Sequence, residues 1–226
     1  MRGARAVPLT AYRLPRTLGE RMEDVRDLKA LQLDALKEVA NIGAGHAATA
    51  LSQLTHRRIM ISVPEVTIAR LEEVPGLIGD PQEVVAAVLM HMLGDLTGRT
   101  LLLFPEAVGR QVCDMLLKRP IGTTRAFDPL EQSCLKEAGN ILSGAYMNAL
   151  SEFMGMLLLP SVPSLVVDLS AAVLTTTYLN FGHDRDFVFC VETEFNIDAQ
   201  DGLRGHFLLL PDLASLKAIF DAIRLT

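Results

Sequence analysis

Apolar positions along this chain follow two spacings in turn, one helical and one extended. From about Leu28 to Leu54 the spacing is helical. At about 100° per residue, Leu36, Val39, Ala40, Gly43, Ala47, Ala50, Leu51 and Leu54 share one side. Asp34, Glu38, Asn41 and Gly45 fall opposite them, in a stripe within about 40° of Asp34. Arg57–Pro64 predicts a strand ended by proline. Val66–Val74 predicts a short helix or loop. Glu83–Met92 and Arg99–Phe104 predict strands, and Pro105–Lys118 a helix with proline in its first turn.

The order then returns. Pro129–Met154 predicts a second long helix, with Asp128 as N-cap and proline after it. Gly155–Pro163 reads as a strand, and Leu165–Leu179 contains a helix. Asp186–Phe195 and Leu203–Leu210 read as strands, and Pro211–Ile223 as a closing helix. On the second long helix Ser133, Glu137, Asn140 and Gly144 form the polar stripe. Leu135, Ala138, Gly139, Leu142, Tyr146, Ala149, Leu150 and Phe153 form the apolar face.

The two stripes are in register. Asp34, Glu38, Asn41 and Pro64 return as Ser133, Glu137, Asn140 and Pro163, and each step (133 − 34, 137 − 38, 140 − 41, 163 − 64) is 99. The closing segments 101–116 and 207–222 also correspond, at a step of 106 (207 − 101), so about seven residues enter between Pro163 and Phe207. A period near a hundred residues is too long for a solenoid. It predicts an α+β fold of duplicated helix–strand units about a pseudo-two-fold axis, with a mixed or antiparallel sheet and two long helices. Residues 26–226 are expected to form one domain of two repeats, about 28–120 and 127–224. Residues 1–25 hold five arginines and lack the apolar stretch of a secretory signal, so a disordered N-terminal extension is expected there.

Composition narrows the function classes. The chain has 226 residues, is half apolar and carries a formal net charge of −6. That charge disfavours a nucleic-acid surface, and no apolar run reaches the length of a membrane span. Three cysteines without CxxC spacing point to a reducing, cytoplasmic setting. The five histidines show no HExxH-like spacing, so no protein-built metal site is expected.

Glycine inside a helix costs about 1 kcal/mol relative to alanine. Gly45 and Gly144 carry that cost on the outward face, one turn beyond Asn41 and Asn140. On one helix alone, a solvated polar face with a tolerated glycine explains the stripe. The same stripe on both helices favours a surface that something approaches closely. Pro64 and Pro163 have no catalytic chemistry and are expected to end strands and shape turns. Gly43-Ala44-Gly45 lies within a helix rather than in a strand–helix turn, which excludes a dinucleotide fingerprint.

The pattern [Asp/Ser]-x3-Glu-x2-Asn-x22-Pro resembles the signature of the CheC family of chemotaxis phosphatases, which includes CheX and the flagellar-switch protein FliY. Both copies fit, and residues 37–51 (KEVANIGAGHAATAL) are similar to the first signature helix of CheC. Two intact copies resemble CheC more than CheX, which has one. The arginine-rich N-terminal segment departs from the family pattern. A flagellar-switch component is not expected, because the added switch domain of FliY-type proteins has no counterpart in these residues.

The resemblance implies a protein aspartyl-phosphate phosphatase, a hydrolase acting on the phosphorylated response regulator CheY. Asn41 and Asn140 would orient the attacking water, and Glu38 and Glu137 would pair with a cation of the regulator. Asp34 and Ser133 would support the site as hydrogen-bonding or helix-start residues, and Gly45 and Gly144 would let the partner approach. This chain would bind no cofactor, since Mg²⁺ belongs to the regulator. The alternative is a non-catalytic adaptor binding CheD, phosphorylated CheY or both. A monomer without membrane insertion or nucleic-acid binding is expected, because the duplication already supplies a two-fold partner.

Overall fold

The repeat returns as a strand order that reads the same from either end. The computed structural model describes residues 30–70, 73, 76, 78–179, 187–197 and 203–223. The first repeat contributes α1 (Ala30–Thr55), β1 (Ile59–Ile61), β2 (Glu65–Arg70), β3 (Val84–Gly94), β4 (Gly98–Pro105) and α2 (Glu106–Leu116). The second contributes α3 (Pro129–Met154), β5 (Leu158–Pro160), β6 (Ser164–Leu169), α4 (Ser170–Leu179), β7 (Phe187–Ile197), β8 (Leu203–Pro211) and α5 (Leu213–Ile223). The expected N-terminal extension lies outside the described residues.

One sheet runs β1-β7-β8-β4-β3-β5, with β2 also on β7 and β6 also on β3. Every pairing is antiparallel. Exchanging the repeats turns this order into its own reverse, with β4 and β8 at the centre. The registers agree. Ile61 stands opposite Phe195 and Pro160 opposite Met92; the partners are displaced by 99 (160 − 61) and 103 (195 − 92). Each repeat's short strands pair with the long hairpin of the other repeat, so neither half completes its sheet alone.

Helices cover both faces. Ala44, Ala47 and Leu51 of α1, Val112 of α2, Leu135, Leu142 and Tyr146 of α3, and Leu216 and Ile219 of α5 pack on one face with Leu102, Phe104 and Phe207. Val173, Leu174 and Tyr178 of α4 pack on the other with Leu101, Leu103, Leu208 and Leu210. The apolar runs of β4 and β8 are thus central strands buried on both sides, which is why they show no alternation.

Several expectations need correction. Val66–Val74 is not a helix or loop at its start, because Glu65–Arg70 is strand β2 along β7. Val66 and Ala69 are buried there, and the partner strand is more than a hundred residues away in sequence. The strand expected over Arg57–Pro64 is confined to Ile59–Ile61, and that over Gly155–Pro163 to Leu158–Pro160. Leu165–Leu179 does contain the expected helix, which begins at Ser170 after strand β6. Pro105 occupies the N-cap position of α2 rather than its first turn. Asp128 stands at the N-cap of α3 without a side-chain capping bond; its backbone carbonyl accepts from Gln132 N–H at 2.9 Å. Phe153, expected on the buried face of α3, is exposed because that last turn extends beyond the packed region.

Candidate functional site

The two long helices present their polar stripes away from the core. On α1, Asp34, Glu38 and Asn41 are exposed while the flanking Val39 and Ala40 are buried. On α3, Ser133 and Glu137 are exposed and Asn140 is half-buried, between buried Ala138, Gly139 and Leu142. Glu and Asn at i and i+3 project from one helix face, about 5–6 Å apart at Cβ. Among the described residues, no hydrogen bond or ion pair engages Glu38, Asn41, Glu137 or Asn140. Two carboxylates and two amides thus stand unengaged among the described residues.

The four glycines of these helices separate into two kinds. A Cβ on Gly43 would lie 2.8 Å from Tyr146 Cε1, and one on Gly139 would lie 2.5 Å from Val88 Cγ1. These glycines let α1 meet α3 and α3 meet β3. A Cβ on Gly45 or Gly144 meets nothing within 4 Å. Nothing inside the described structure demands glycine at those two stripe positions.

Asp34 and Ser133 are not helix-start residues. Ser133 lies one turn into α3, and Asp34 follows four residues after the first described residue of α1. Neither makes a capping bond among the described residues. Among the described residues no hydrogen bond or ion pair joins the stripe of α1 to that of α3.

Pro64 and Pro163 stand elsewhere, in matching β-bulges. β1 and β2 run along the same strand, β7, and residues 62–64 oppose only Thr193 and Glu194. Residues 161–163 likewise oppose only Met90 and His91 between β5 and β6. One extra residue per edge strand is the definition of a bulge, and proline within a sheet is confined to edges and bulges. The prolines therefore interrupt an edge strand rather than end it.

Sequence reasoning missed the residues that hold these bulges. Ser62 N–H donates to Glu194 O at 3.0 Å, and Glu194 N–H donates to Ser62 Oγ at 3.0 Å. Ser161 N–H donates to His91 O at 2.9 Å, and His91 N–H donates to Ser161 Oγ at 2.9 Å. The serine hydroxyl replaces a ladder carbonyl and closes the ladder before the chain swings out. The residue between, Val63 or Val162, is left 74% or 88% exposed. The signal was present: Ser62-Val63-Pro64 returns as Ser161-Val162-Pro163 at the same step of 99.

Beside the second stripe lies a pair of thiols. Cys113 of α2 is buried and Cys134 of α3 half-buried. Their mutual hydrogen bond, followed by burial, pushes the Cys113 thiol far above its ordinary value, while the same bond lowers that of Cys134. Among the described residues no group of three His, Cys, Asp or Glu is placed to hold a metal ion.

Comparisons with known proteins agree with the repeat. The model of the CheC-like family matches residues 31–68 and 130–167, two segments again 99 apart (130 − 31). The chain is 33% identical over 199 residues to the CheY-P phosphatase CheC of Bacillus subtilis (strain 168), covering 87% of this chain and 95% of that protein. Thermotoga maritima FliY has a similar structure, with a TM-score of 0.71 at 22% identity, covering 87% of this chain and 98% of that one. A chain of a FliG–FliM complex from H. pylori matches with a TM-score of 0.62 at 16% identity, covering 86% of this chain and 100% of that one. These two structural likenesses concern the fold alone.

Proposed function

The chain belongs to the CheC-like family, and from that premise we propose that it hydrolyses the aspartyl phosphate of the response regulator CheY. The observation that carries this reading is the duplicated pair Glu38–Asn41 and Glu137–Asn140, turned outward and unengaged among the described residues. The relative named a CheY-P phosphatase supports the same substrate.

The chemistry asks little of the enzyme. An aspartyl phosphate is a mixed anhydride that hydrolyses without help. A water oxygen attacks phosphorus in line, the bond to the regulator's carboxylate breaks, and phosphate leaves with the water's proton passing to solvent or to the phosphate. Positioning is the main contribution available. An amide can hold a water by donating and accepting but cannot act as a base, which suits Asn41 and Asn140 as orienting groups. Glu38 and Glu137 pair with a cation of the regulator, its active-site lysine, and fix the docking geometry. The regulator supplies Mg²⁺. Gly45 and Gly144 admit the partner surface, and Asp34 and Ser133 support the stripe beside them.

The test is phosphate release from phosphorylated CheY. Asn41→Ala with Asn140→Ala is expected to abolish the acceleration and leave regulator binding largely intact. Glu38→Ala with Glu137→Ala is expected to weaken binding as well. A double asparagine variant with the normal rate overturns the mechanism.

A second reading is binding without hydrolysis, as an adaptor for CheD, phosphorylated CheY or both. The same outward Glu–Asn stripes, unengaged among the described residues, suit a docking surface as well as a catalytic one. Regulator or CheD binding with no gain in phosphate release would establish it. Because both halves of the sheet lie in one chain, we take the working unit to be a monomer, which light scattering checks. No helix among the described residues is long and apolar enough to cross a membrane, which fits the proposed cytoplasmic site of action.

A further inference from the structure

Between the C-terminal ends of α1 and α2 lies an open cavity of about 520 Å³. His56, Arg57, Lys118 and Arg119 line it, together with apolar Met115 and Ile121. The volume falls within the roughly 300–1,000 Å³ typical of small-molecule sites. A convergence of basic side chains is unexpected in a chain of net charge −6.

Two of the four basic residues have a backbone conformation that side chains disfavour. His56 and Lys118 each have φ of 54°, and they are the non-glycine residues of positive φ among the described residues. His56 follows directly on the end of α1 and Lys118 follows Leu117, the C-cap of α2, positions where a left-handed residue closes the helix and glycine is the relaxed choice. Lys118 N–H donates to Met115 O at 3.1 Å and Arg119 N–H donates to Asp114 O at 2.8 Å, the paired bonds of a Schellman closure.

The second repeat shows the relaxed solution. The position 99 after His56 is Gly155, with φ of 66°, flanked by Met154 and Met156 where the first repeat has Thr55 and Arg57. The fold therefore does not require a basic group at this closure. A helix dipole favours a cation at its C-terminus, which accounts for one such residue. At two helix ends it accounts for His56 and Lys118, but not for Arg57 and Arg119 lining the same cavity as well. Arg119 Nη1 donates to Glu131 Oε1 at 2.6 Å, which uses one of five guanidinium donors and fixes the group at the cavity wall.

We propose that this cavity binds a phosphate-bearing small molecule. The phosphate oxygens, acceptors with more than one negative charge, lie against His56, Arg57 and Lys118. The organic part lies against Met115 and Ile121. His56 follows Asn41 by fifteen residues, roughly 22 Å along a helix at 1.5 Å per residue. The site is thus separate from the Glu38–Asn41 stripe, while Glu131, which holds Arg119, lies two residues before Ser133 of the second stripe.

Isothermal titration calorimetry on the full chain tests this, with ADP, pyrophosphate and citrate as probes. Saturable ADP binding with a Kd below about 1 mM is expected, with citrate at least ~10-fold weaker. His56→Gly with Lys118→Gly relaxes both backbones, so Tm should hold or rise while ADP affinity falls at least ~10-fold. If that variant fails to fold, His56→Asn with Lys118→Asn repeats the measurement with residues that tolerate positive φ. No saturable ADP binding, undiminished binding in the folded variants, or citrate bound as tightly as ADP would each overturn the proposal.

Discussion

The ring of Tyr146 occupies the space that any side chain on Gly43 would need. A Cβ there would lie 2.8 Å from Tyr146 Cε1, and the Tyr146 hydroxyl donates to Ala40 O at 3.1 Å. The repeat-related positions are Leu142 and Ala47. One repeat offers a large residue where the other has a small one, so the α1–α3 contact is symmetric in backbone but not in side chain. Burial pushes the phenol above its ordinary value, so it remains a protonated donor.

Gly43→Ala should therefore destabilise the protein although alanine is the better helix former. Propensity returns about 1 kcal/mol, while overpacking a filled core costs about 1–3 kcal/mol. A net loss of roughly 1 kcal/mol, read as a lowered urea midpoint at unchanged m-value, is expected. An unchanged midpoint would mean that Tyr146 moves freely.

Gly45→Ala and Gly144→Ala should behave in the opposite way. The added methyl meets nothing, so each variant should gain up to about 1 kcal/mol. Phosphate release from phosphorylated CheY should nevertheless fall, if a partner backbone needs the space. Higher stability with full activity would assign these glycines no role in docking.

The connector between the repeats depends on one carboxylate. Asp114, fully buried on α2, accepts from the N–H groups of Gly122, Thr123 and Thr124 and from Thr124 Oγ1 at 2.6–3.0 Å. Burial, the largest single influence, raises its pKa, but the four bonds together hold it below the ordinary 3.8. A depressed folded pKa stabilises the fold at pH above the unfolded value. That contribution disappears as pH falls through the lower folded value. Melting curves between pH 7 and pH 2 should show this acid loss, and Asp114→Asn should flatten it. Asp114→Ala, which leaves the buried Thr124 N–H and two part-buried N–H groups without their acceptor, should cost about 1–3 kcal/mol at neutral pH.

The thiols should react in a fixed order. Cys134 is half-buried and its thiolate is stabilised by the Cys113 bond. Cys190 is buried, and burial pushes it up to about 12. Iodoacetamide under native conditions, followed by mass spectrometry, should modify Cys134 first. Early labelling of Cys190 would show that β7 opens readily.

By itself the sequence determined the two long helices and their opposed faces, because helical period is local and the apolar positions of residues 34–54 and 133–150 record it directly. It also determined the doubled Glu–Asn stripe and the step of 99, since identity at fixed spacing needs no partner. Only the tertiary structure decided what the edge strands do. β2 and β6 carry weak local signals, and their pairing with β7 and β3 is set by residues about a hundred positions away. The bulges at Pro64 and Pro163, with Ser62 and Ser161 standing in for ladder carbonyls, arise from that non-local pairing. The cavity of His56 and Lys118 was hidden for the same reason: each residue closes its own helix locally, and only the packing of α1 beside α2 brings the two ends together.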